Sequence, residues 1–219
     1  MQNWLFGLRS RPFFVLVAVF IVLSVLVQTK VTQEFDRSTV LYFQAAAGNP
    51  TLDIIMWTIT EIGSITWLVL FSIIILIIRR TRRVGLVMLL CLVAGTIGSG
   101  YLKGYVIEQP RPELEFLGTE FPYDIGQDTF VLGTNGSFPS GHATRAAVVT
   151  LIAGFALSQR FPTGRYLIWI FPILESLSRI YVLQHYPMDV IGGTVFGTTL
   201  AAIVGNKLKL SKFFEKSKA

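Results

Sequence analysis

Residues 84–102 read VGLVMLLCLVAGTIGSGYL, which is 19 residues without a charge between Arg83 and Lys103. A helix rises about 1.5 Å per residue and the hydrocarbon core of a bilayer is roughly 30 Å thick, so a stretch of this length can cross it. Three other stretches are similar, since 18 uncharged residues follow Arg11, 17 follow Glu61 and 17 follow Asp189. The sequence therefore predicts a membrane protein with several spanning helices.

The composition of the whole chain supports this interpretation. Of its 219 residues 52% are hydrophobic and only 15% are charged, and the mean hydropathy is +0.59. Such a chain has too little charge to cover a soluble globule and is too apolar to be disordered. A single cysteine, Cys91, rules out an intramolecular disulfide framework. We expect the net charge of +6 to reflect topology rather than nucleic-acid binding.

The expected fold is all-α and polytopic, with six transmembrane helices in one bundle and a single domain over residues 1–219. The fourth and fifth spans carry Arg145, Glu175 and Arg179, and charges at such depth indicate a lined interior or a span end near water. Gly193 and Gly197 form a GxxxG pair, which predicts close helix packing. The predicted spans, with an outer loop at about 107–139, are 12–31, 54–78, 84–106, 140–159, 165–183 and 187–206.

The distribution of basic residues predicts the orientation of these spans. With the N-terminus inside, 13 of the 19 Lys and Arg residues fall on the cytoplasmic side, so both termini are predicted to be cytoplasmic. The first span is too long for a signal peptide and no cleavage site follows it closely, which favours an uncleaved anchor. The basic tail from Lys207 to Lys218 is expected to lie against anionic lipid.

Three polar clusters stand at the outer ends of the predicted spans, and they contain both histidines of the chain. His142 and His185 are 43 residues apart, which corresponds to two antiparallel crossings that return the chain to the face it left. All three clusters are therefore expected on the outer surface. They are Lys103 with Arg111-Pro112, then Pro139-Ser140-Gly141-His142, and then Ser178-Arg179 with His185 and Asp189.

Together these residues suit a phosphoryl group. Lysine and arginine donate to phosphate oxygens, and a helix start at Ser140 and Gly141 favours an anion. Two imidazoles are suited to proton transfer and nucleophilic attack, because neutral histidine titrates near working pH. Asp189, four residues after His185, could accept from one ring nitrogen and leave the other as the attacking lone pair.

Each residue also has a structural interpretation. Asp189 and Ser140 are suited to helix capping, since each stands at a predicted helix start. Arginines near a span end commonly reach the headgroups, and a lone histidine there is commonly an interfacial hydrogen bonder. Arg145 shares a helical face with His142, where it could contact substrate or form a structural ion pair. Only the joint pattern, with both histidines and several cations on one face, favours the phosphoryl interpretation.

The second and third clusters resemble the second and third signature motifs of the type 2 phosphatidic-acid phosphatase superfamily. This superfamily includes bacterial undecaprenyl-pyrophosphate phosphatases and vanadium haloperoxidases. The matching residues are Pro139-Ser140-Gly141-His142, and Ser178-Arg179 followed by five residues, His185, three residues and Asp189. The resemblance covers roughly residues 84–206, and the six-span layout extends it over nearly the whole chain.

This resemblance implies a role for each site residue. His185 would attack phosphorus to give a phosphohistidine while Asp189 orients its ring, and His142 would protonate the leaving oxygen and then activate water. No divalent metal or other cofactor is implied. The residues implied to hold the phosphoryl oxygens are Lys103, Arg111, Ser140, Gly141 and Arg179.

The first motif departs from the family pattern by one residue. The family has six residues between the lysine and Arg-Pro, whereas seven separate Lys103 from Arg111-Pro112. One extra residue turns a helix by about 100°. Either the segment between Gly104 and Pro110 absorbs this residue, or Lys103 is displaced from the site.

An active site at the outer ends of spans implies a substrate that arrives along the bilayer, and therefore a lipid phosphate or pyrophosphate. The resemblance implies undecaprenyl pyrophosphate, phosphatidylglycerol phosphate, phosphatidic acid and lipid A phosphate as candidate substrates. Among them we expect undecaprenyl pyrophosphate, with broad activity on other lipid phosphates. The acidic, aromatic loop 113–139 could cap the site or be a surface loop. Membrane lipids are the expected surroundings, and neither nucleic acid nor an obligate protein partner is expected.

Two other functional classes stay open at this point. A lipid phosphotransferase would use the same phosphohistidine and pass the phosphoryl group to an acceptor other than water. A channel or transporter would also have six spans, but its polar groups should reach the midplane, and only Glu61 and Glu175 suit that role. The expected location is a bacterial cytoplasmic membrane, with the active site facing the periplasm or exterior.

Overall fold

In the computed structural model, residues 7–112, 136–158 and 161–210 are described, and every regular element in these ranges is a helix. The predicted all-α class is confirmed over this part of the chain. The helices are α1 (Arg11–Gln28), α2 (Gln33–Gln44), α3 (Pro50–Ile62), α4 (Ile65–Ile77), α5 (Arg82–Tyr105), α6 (Gly141–Ser158), α7 (Gly164–Leu167), α8 (Ile170–Tyr181) and α9 (Pro187–Lys207).

Four of these helices, α1, α5, α6 and α9, are long and apolar enough to cross a membrane. Helices α3 and α4 provide a fifth crossing if they are taken together, and they meet at an angle of 50° across a short break. The described residues therefore hold four or five candidate spans, as expected of a multi-pass membrane protein. They do not confirm the predicted total of six.

Two predicted spans differ from the observed helices. The stretch predicted as 54–78 is divided at Gly63-Ser64, and its first helix begins earlier, at Pro50, where the Asn49 side chain accepts from the N–H groups of Thr51 and Leu52 at 3.1 Å. The stretch predicted as 165–183 is divided into α7, of four residues, and α8, of 12. An apolar run predicts the length of a hydrophobic segment but not where its axis bends.

The segment between the first two predicted spans contains α2, a helix that the sequence analysis did not predict. This helix buries Asp36 and Val40, and Val40 packs in a cluster with Ala143 of α6 and Ile180 of α8. Helix α2 therefore lies against the part of the bundle that carries the polar clusters.

Helix α6 lies at the centre of the bundle. Every residue from Gly141 to Thr150 is buried, and the helix packs against α5, α8 and α9. The C-terminal half of α6 joins an apolar core with Met88 of α5 and Ala201 of α9. Its first turns, in contrast, bury polar side chains, and these turns carry the candidate site.

Two glycines of α9 allow it to approach α6 closely. A methyl group on Gly193 would lie 2.4 Å from the carbonyl oxygen of Ser140, and one on Gly197 would lie 2.3 Å from that of Thr144. Both distances are impossible for a real side chain, so the backbones are in direct contact. The predicted close packing of the GxxxG pair is confirmed.

Some predictions concern residues outside the described ranges. They include the acidic and aromatic residues of the loop at 113–135, Arg160, and the basic tail after Leu210. The proposed cap over the site and the proposed contact of the tail with lipid therefore stay predictions.

Candidate active site

Backbone hydrogen bonds join the second polar cluster to the other two. The Ser137 N–H, two residues before the second cluster, donates at 2.8 Å to the carbonyl oxygen of Gln109, which lies between Lys103 and Arg111 of the first cluster. The Ser140 N–H donates to the carbonyl oxygen of Asp189 in the third cluster at 2.9 Å. Segments distant in the sequence are thus held side by side at the start of α6.

A side-chain hydrogen bond joins the first cluster to the third. Arg111 donates from Nη1 to Oε1 of Gln184, the residue before His185, and both side chains are buried. The structure brings all eight predicted site residues into the buried interior: Lys103, Arg111, Ser140, Gly141, His142, Arg179, His185 and Asp189.

Most of the segment that separates Lys103 from Arg111 lies outside a helix. Helix α5 ends at Tyr105, two residues after Lys103, and residues 107–111 are not helical. The expected rotation of 100° per added residue therefore does not apply between Lys103 and Arg111. Both side chains are buried, with 8% and 3% of their surface exposed.

The turn before His185 is a Schellman motif. The Gln184 N–H donates to the Arg179 carbonyl oxygen at 3.1 Å, and the Leu183 N–H donates to that of Ile180 at 3.1 Å. Leu183 occupies the left-handed position, with φ of 58°, where glycine is usual. Its side chain is buried beside Ile180 and Tyr186, so packing holds the turn that presents His185.

His185 and Asp189 form a buried pair. Nδ1 of His185 lies 3.4 Å from Oδ2 of Asp189, and the same oxygen accepts the Tyr186 N–H at 2.8 Å. Asp189 therefore caps the start of α9 and contacts the histidine, so the two interpretations of this residue hold together. A proton on Nδ1 leaves Nε2 with a lone pair, and Nε2 has no hydrogen-bond partner among the described residues.

The surroundings of His185 favour its neutral form. Burial lowers the pKa of His185 well below its ordinary range, because a charged imidazole is poorly solvated there. Positive charge on four neighbouring side chains lowers this pKa further: Lys103, Arg111, Arg179 and His142. A neutral imidazole among cations is a nucleophile placed where an anion is attracted.

Ser140 caps α6 and keeps a donor. Its Oγ accepts the Ala143 N–H at 3.4 Å, and its carbonyl oxygen accepts the Thr144 N–H at 3.0 Å. The hydroxyl proton is not used by this cap, because a hydroxyl group accepts and donates independently. The predicted capping and the predicted phosphate contact therefore use different parts of one side chain.

Arg179 is fully buried at the end of α8. Its Nη1 donates to Oγ1 of Thr60 on α3 at 3.2 Å. Arg145 is buried on α6, one turn after His142, with 2% of its surface exposed. Its two predicted roles, substrate contact and structural ion pair, stay open.

Sequence reasoning missed three buried polar residues around the site: Asp36, Thr60 and Gln184. Oδ1 of Asp36 accepts the Met188 N–H at 3.0 Å, so this carboxyl group contacts the start of α9, and burial raises its pKa to about 6. Gln184 could have been suspected because it adjoins His185. Asp36 and Thr60 lie far from every motif in the sequence, and no local pattern marks them.

The charge of the site suits an anion. Three side chains near His185 are the cations Lys103, Arg111 and Arg179, and they repel a metal ion while attracting phosphate oxygens. Among residues 7–112, 136–158 and 161–210, no group of three or more histidine, cysteine or carboxylate side chains could hold a metal ion. Metal independence is an expectation that an assay must test.

Comparisons with known proteins agree with this geometry. The sequence profile of one protein family, the PAP2 superfamily, matches residues 84–209 of this chain. An undecaprenyl-diphosphatase of Sulfolobus acidocaldarius is 27% identical to this chain, in an alignment that covers 89% of this chain and 90% of that protein. Phosphatidylglycerophosphatase B of Bacillus subtilis is 28% identical to this chain, in an alignment that covers 90% of this chain and 95% of that protein.

A solved structure resembles the whole fold. The crystal structure of a transmembrane PAP2 type phosphatidylglycerolphosphate phosphatase from Bacillus subtilis superposes with a TM-score of 0.73 at 25% sequence identity. The match covers 93% of this chain and 96% of that one. The resemblance therefore includes α1 to α4, which precede the region that the family model matches.

Proposed function

The chain belongs to the PAP2 superfamily, and from this premise we propose that it is a membrane phosphatase that removes the terminal phosphate of a lipid phosphate or diphosphate. The relatives described above are phosphatases by name, and their matches extend over about nine tenths of this chain. The observation that carries the proposal is the environment of His185, a buried imidazole paired with Asp189 and surrounded by cations.

The proposed reaction has two steps that use the same groups in turn. In the first, Nε2 of His185 forms a bond to phosphorus while the bond from phosphorus to the leaving oxygen breaks, and His142 gives that oxygen a proton. In the second, His142 takes a proton from water, the water oxygen bonds to phosphorus, and the bond from Nε2 to phosphorus breaks. Inorganic phosphate leaves, and both histidines regain their starting states.

The cations provide most of the proposed rate enhancement. Negative charge shifts among the phosphoryl oxygens during both steps, and donors that are already in place stabilise it without reorganisation. Lys103, Arg111 and Arg179 would supply these donors, together with the hydroxyl group of Ser140 and the backbone at Gly141. Asp189 would hold the ring of His185 with its Nε2 toward phosphorus.

Undecaprenyl diphosphate is the proposed substrate, with activity on other lipid phosphates. The match to an undecaprenyl-diphosphatase over 89% of this chain supports it. Phosphatidylglycerophosphate is the second candidate, because the matched crystal structure, which covers 93% of this chain, is that of a phosphatidylglycerolphosphate phosphatase. A lipid phosphotransferase would share the first step and differ only in the acceptor of the second.

The proposed topology has six spans, with both termini in the cytoplasm and the active site at the outer face of a bacterial cytoplasmic membrane. For a labelling test, Cys91 is replaced by alanine and one cysteine is introduced in place of Thr81 or Gly118. We expect a membrane-impermeant thiol reagent to label position 118 in sealed cells and position 81 only after the membrane is opened. The reverse pattern would invert the topology.

Phosphate release from a panel of lipid phosphates in detergent tests the function. We expect the wild type to release phosphate from undecaprenyl diphosphate and phosphatidylglycerophosphate in EDTA, and vanadate to inhibit it, because vanadate resembles the transferring phosphoryl group. No partner protein should be required. Activity that disappears in chelator and returns with Mg²⁺ would contradict the mechanism, and lipid phosphorylation without free phosphate would identify a phosphotransferase.

A further inference from the structure

A threonine on α3, Thr60, contacts the end of α8, where its partner Ser178 lies 118 positions later in the sequence. Oγ1 of Thr60 lies 3.1 Å from Oγ of Ser178 and 3.2 Å from Nη1 of Arg179. The three side chains are buried, with at most 1% of their surface exposed. Arg179 is one of the proposed phosphate-binding cations, so Thr60 brings α3 into contact with a residue of the proposed site.

The directions of these hydrogen bonds follow from the number of protons. Oγ of Ser178 also lies 2.8 Å from the carbonyl oxygen of Glu175, and a carbonyl oxygen can only accept. Ser178 therefore gives its single proton to that carbonyl, and the proton between the two hydroxyl oxygens must come from Thr60. The guanidinium of Arg179 donates to the hydroxyl group of Thr60, and that hydroxyl donates to Ser178. The hydroxyl group of Ser178 donates to the backbone carbonyl oxygen of Glu175.

Thr60 links the two ends of this chain of hydrogen bonds, because its hydroxyl group accepts one from Arg179 and donates one to Ser178. A valine has the same shape but can do neither, while a serine can do both. In the buried interior, a hydrogen bond to a charged group contributes more than one between neutral groups, and its loss leaves a donor of the guanidinium without this acceptor.

The break between α3 and α4 holds α3 against α8 at this point. A methyl group on Gly63 would lie 2.1 Å from the carboxyl carbon of Glu175, so this carboxylate sits directly on the backbone of the break. Ile65 begins α4 two residues later, and the positive end of a helix dipole favours a carboxylate there. Helices α3 and α8 therefore touch at two points one turn apart: Thr60 contacts Arg179, and Gly63 contacts Glu175.

We propose that Thr60 is a positioning residue for Arg179 and sets the direction in which its guanidinium faces the phosphoryl group. The inference rests on the proposed function, because it assumes that Arg179 binds phosphoryl oxygens. A planar guanidinium matches phosphate only in a narrow range of orientations, and small displacements of a donor reduce the rate strongly.

The first experiment compares Thr60→Val with Thr60→Ser. We expect Thr60→Val to lower kcat/KM by about 10- to 100-fold and to weaken vanadate inhibition by a similar factor, since both depend on the oriented donor. Thr60→Ser should stay within about threefold of the wild type. Thr58→Val is the matched control, because Thr58 is exposed on the same helix and bonds only to the Ile54 carbonyl oxygen among the described residues.

The second experiment asks whether Thr60 acts through Arg179. We expect Thr60→Val to cause little further loss in an Arg179→Ala background, where there is no guanidinium to orient. Thr60→Ala, which adds no bulk, should repeat the result if the valine variant does not fold. A Thr60→Val loss that persists in full without Arg179, or a Thr60→Ser loss as large as that of valine, would overturn the inference.

The two proposals fail differently in these assays. If the wild type releases phosphate and Arg179→Ala abolishes most of the activity, while Thr60→Val matches the wild type, only the role of Thr60 is wrong. If the wild type releases no phosphate from any lipid phosphate, or Arg179→Ala is fully active, the proposed function itself is wrong.

Discussion

Helices α1 and α6 have the same length, 18 residues, but they occupy opposite environments. Only 6% of the residues in α1 are buried, whereas 72% of those in α6 are. Beyond Arg11, α1 has no charged residue, while α6 carries His142 and Arg145. The more apolar helix is therefore on the outside and the more polar one at the centre.

This arrangement reverses the pattern of soluble proteins, and the bilayer explains it. Lipid solvates apolar side chains, so α1 loses nothing by facing outward. Charged side chains are costly in lipid and are tolerated where protein surrounds them, and in membranes they commonly mark functional sites. The difference between α1 and α6 separates a helix that faces outward from one that carries candidate site residues.

The largest expected effect is that of His185→Ala. Loss of the nucleophile should lower kcat by about 10⁴-fold or more, because the remaining donors cannot form the phosphohistidine. Phe14→Ala, at an exposed position of α1, should leave kcat within about twofold. Phosphate release by both purified variants is the measurement. A His185→Ala enzyme within tenfold of the wild type would break the contrast between the site and the outward-facing helix.

The next effect tests the two cations of the first motif. Removing one well-placed donor typically costs about 10²–10³ in kcat, or roughly 2.7–4 kcal/mol. We expect this loss for Arg111→Ala and also for Lys103→Ala, because most of the segment between them is non-helical and both side chains are buried. Steady-state kinetics at two ionic strengths provide the measurement.

The salt dependence of kcat distinguishes a cation that contacts the phosphoryl group from one that attracts it at long range. A buried donor is screened little, so both losses should be insensitive to salt. Lys207→Ala is the matched control, since Lys207 is exposed at the far end of α9, and its activity should be unchanged. A loss near tenfold for Lys103→Ala that shrinks in salt would mean that this lysine does not reach the phosphoryl group.

A smaller effect is expected where α9 touches α6. Gly197→Ala places a methyl group 2.3 Å from the Thr144 carbonyl oxygen, and such overpacking typically costs about 1–3 kcal/mol. Gly7→Ala, just before α1, meets nothing within 4 Å and should leave the Tm unchanged. Thermal unfolding in detergent compares the two. Equal Tm values would show that the centre of the bundle is no more tightly packed than its edge.

The sequence predicted those parts of the protein that depend on local patterns. Apolar runs located α1, α5, α6 and α9 to within a few residues, because a span needs a minimum length. The spacing of the polar clusters predicted which residues meet at one face. His142 and His185 are both buried there, and the charge of one acts on the other.

Other features depend on contacts that no local pattern encodes. The break at Gly63 accommodates a carboxylate from α8, and Thr60 is explained only by its contacts with Ser178 and Arg179. Leu183 takes a left-handed position because burial compensates for its strain. Each depends on tertiary packing, which overrides local propensity and is invisible to periodicity.

The smallest effect concerns the pH profile, and it tests whether the cations around His185 act on it electrostatically. The proposed reaction needs neutral His185, so kcat/KM should fall on the acid side as this ring becomes protonated. Burial and neighbouring positive charges hold its pKa well below the ordinary value of 6.5, so the acid limb of the wild type should lie below that pH. Arg111→Ala removes one of these charges.

Its removal makes the protonated ring less unfavourable, raises the pKa of His185 and moves the acid limb to higher pH, by about one unit or less. Arg82→Ala is the control, because this exposed arginine begins α5 at the end opposite Lys103, and its profile should match the wild type. An acid limb that does not move in Arg111→Ala would assign the limb to a group other than His185. Helix α6 would then be distinguished from α1 by donor geometry alone, without the electrostatic control of the nucleophile.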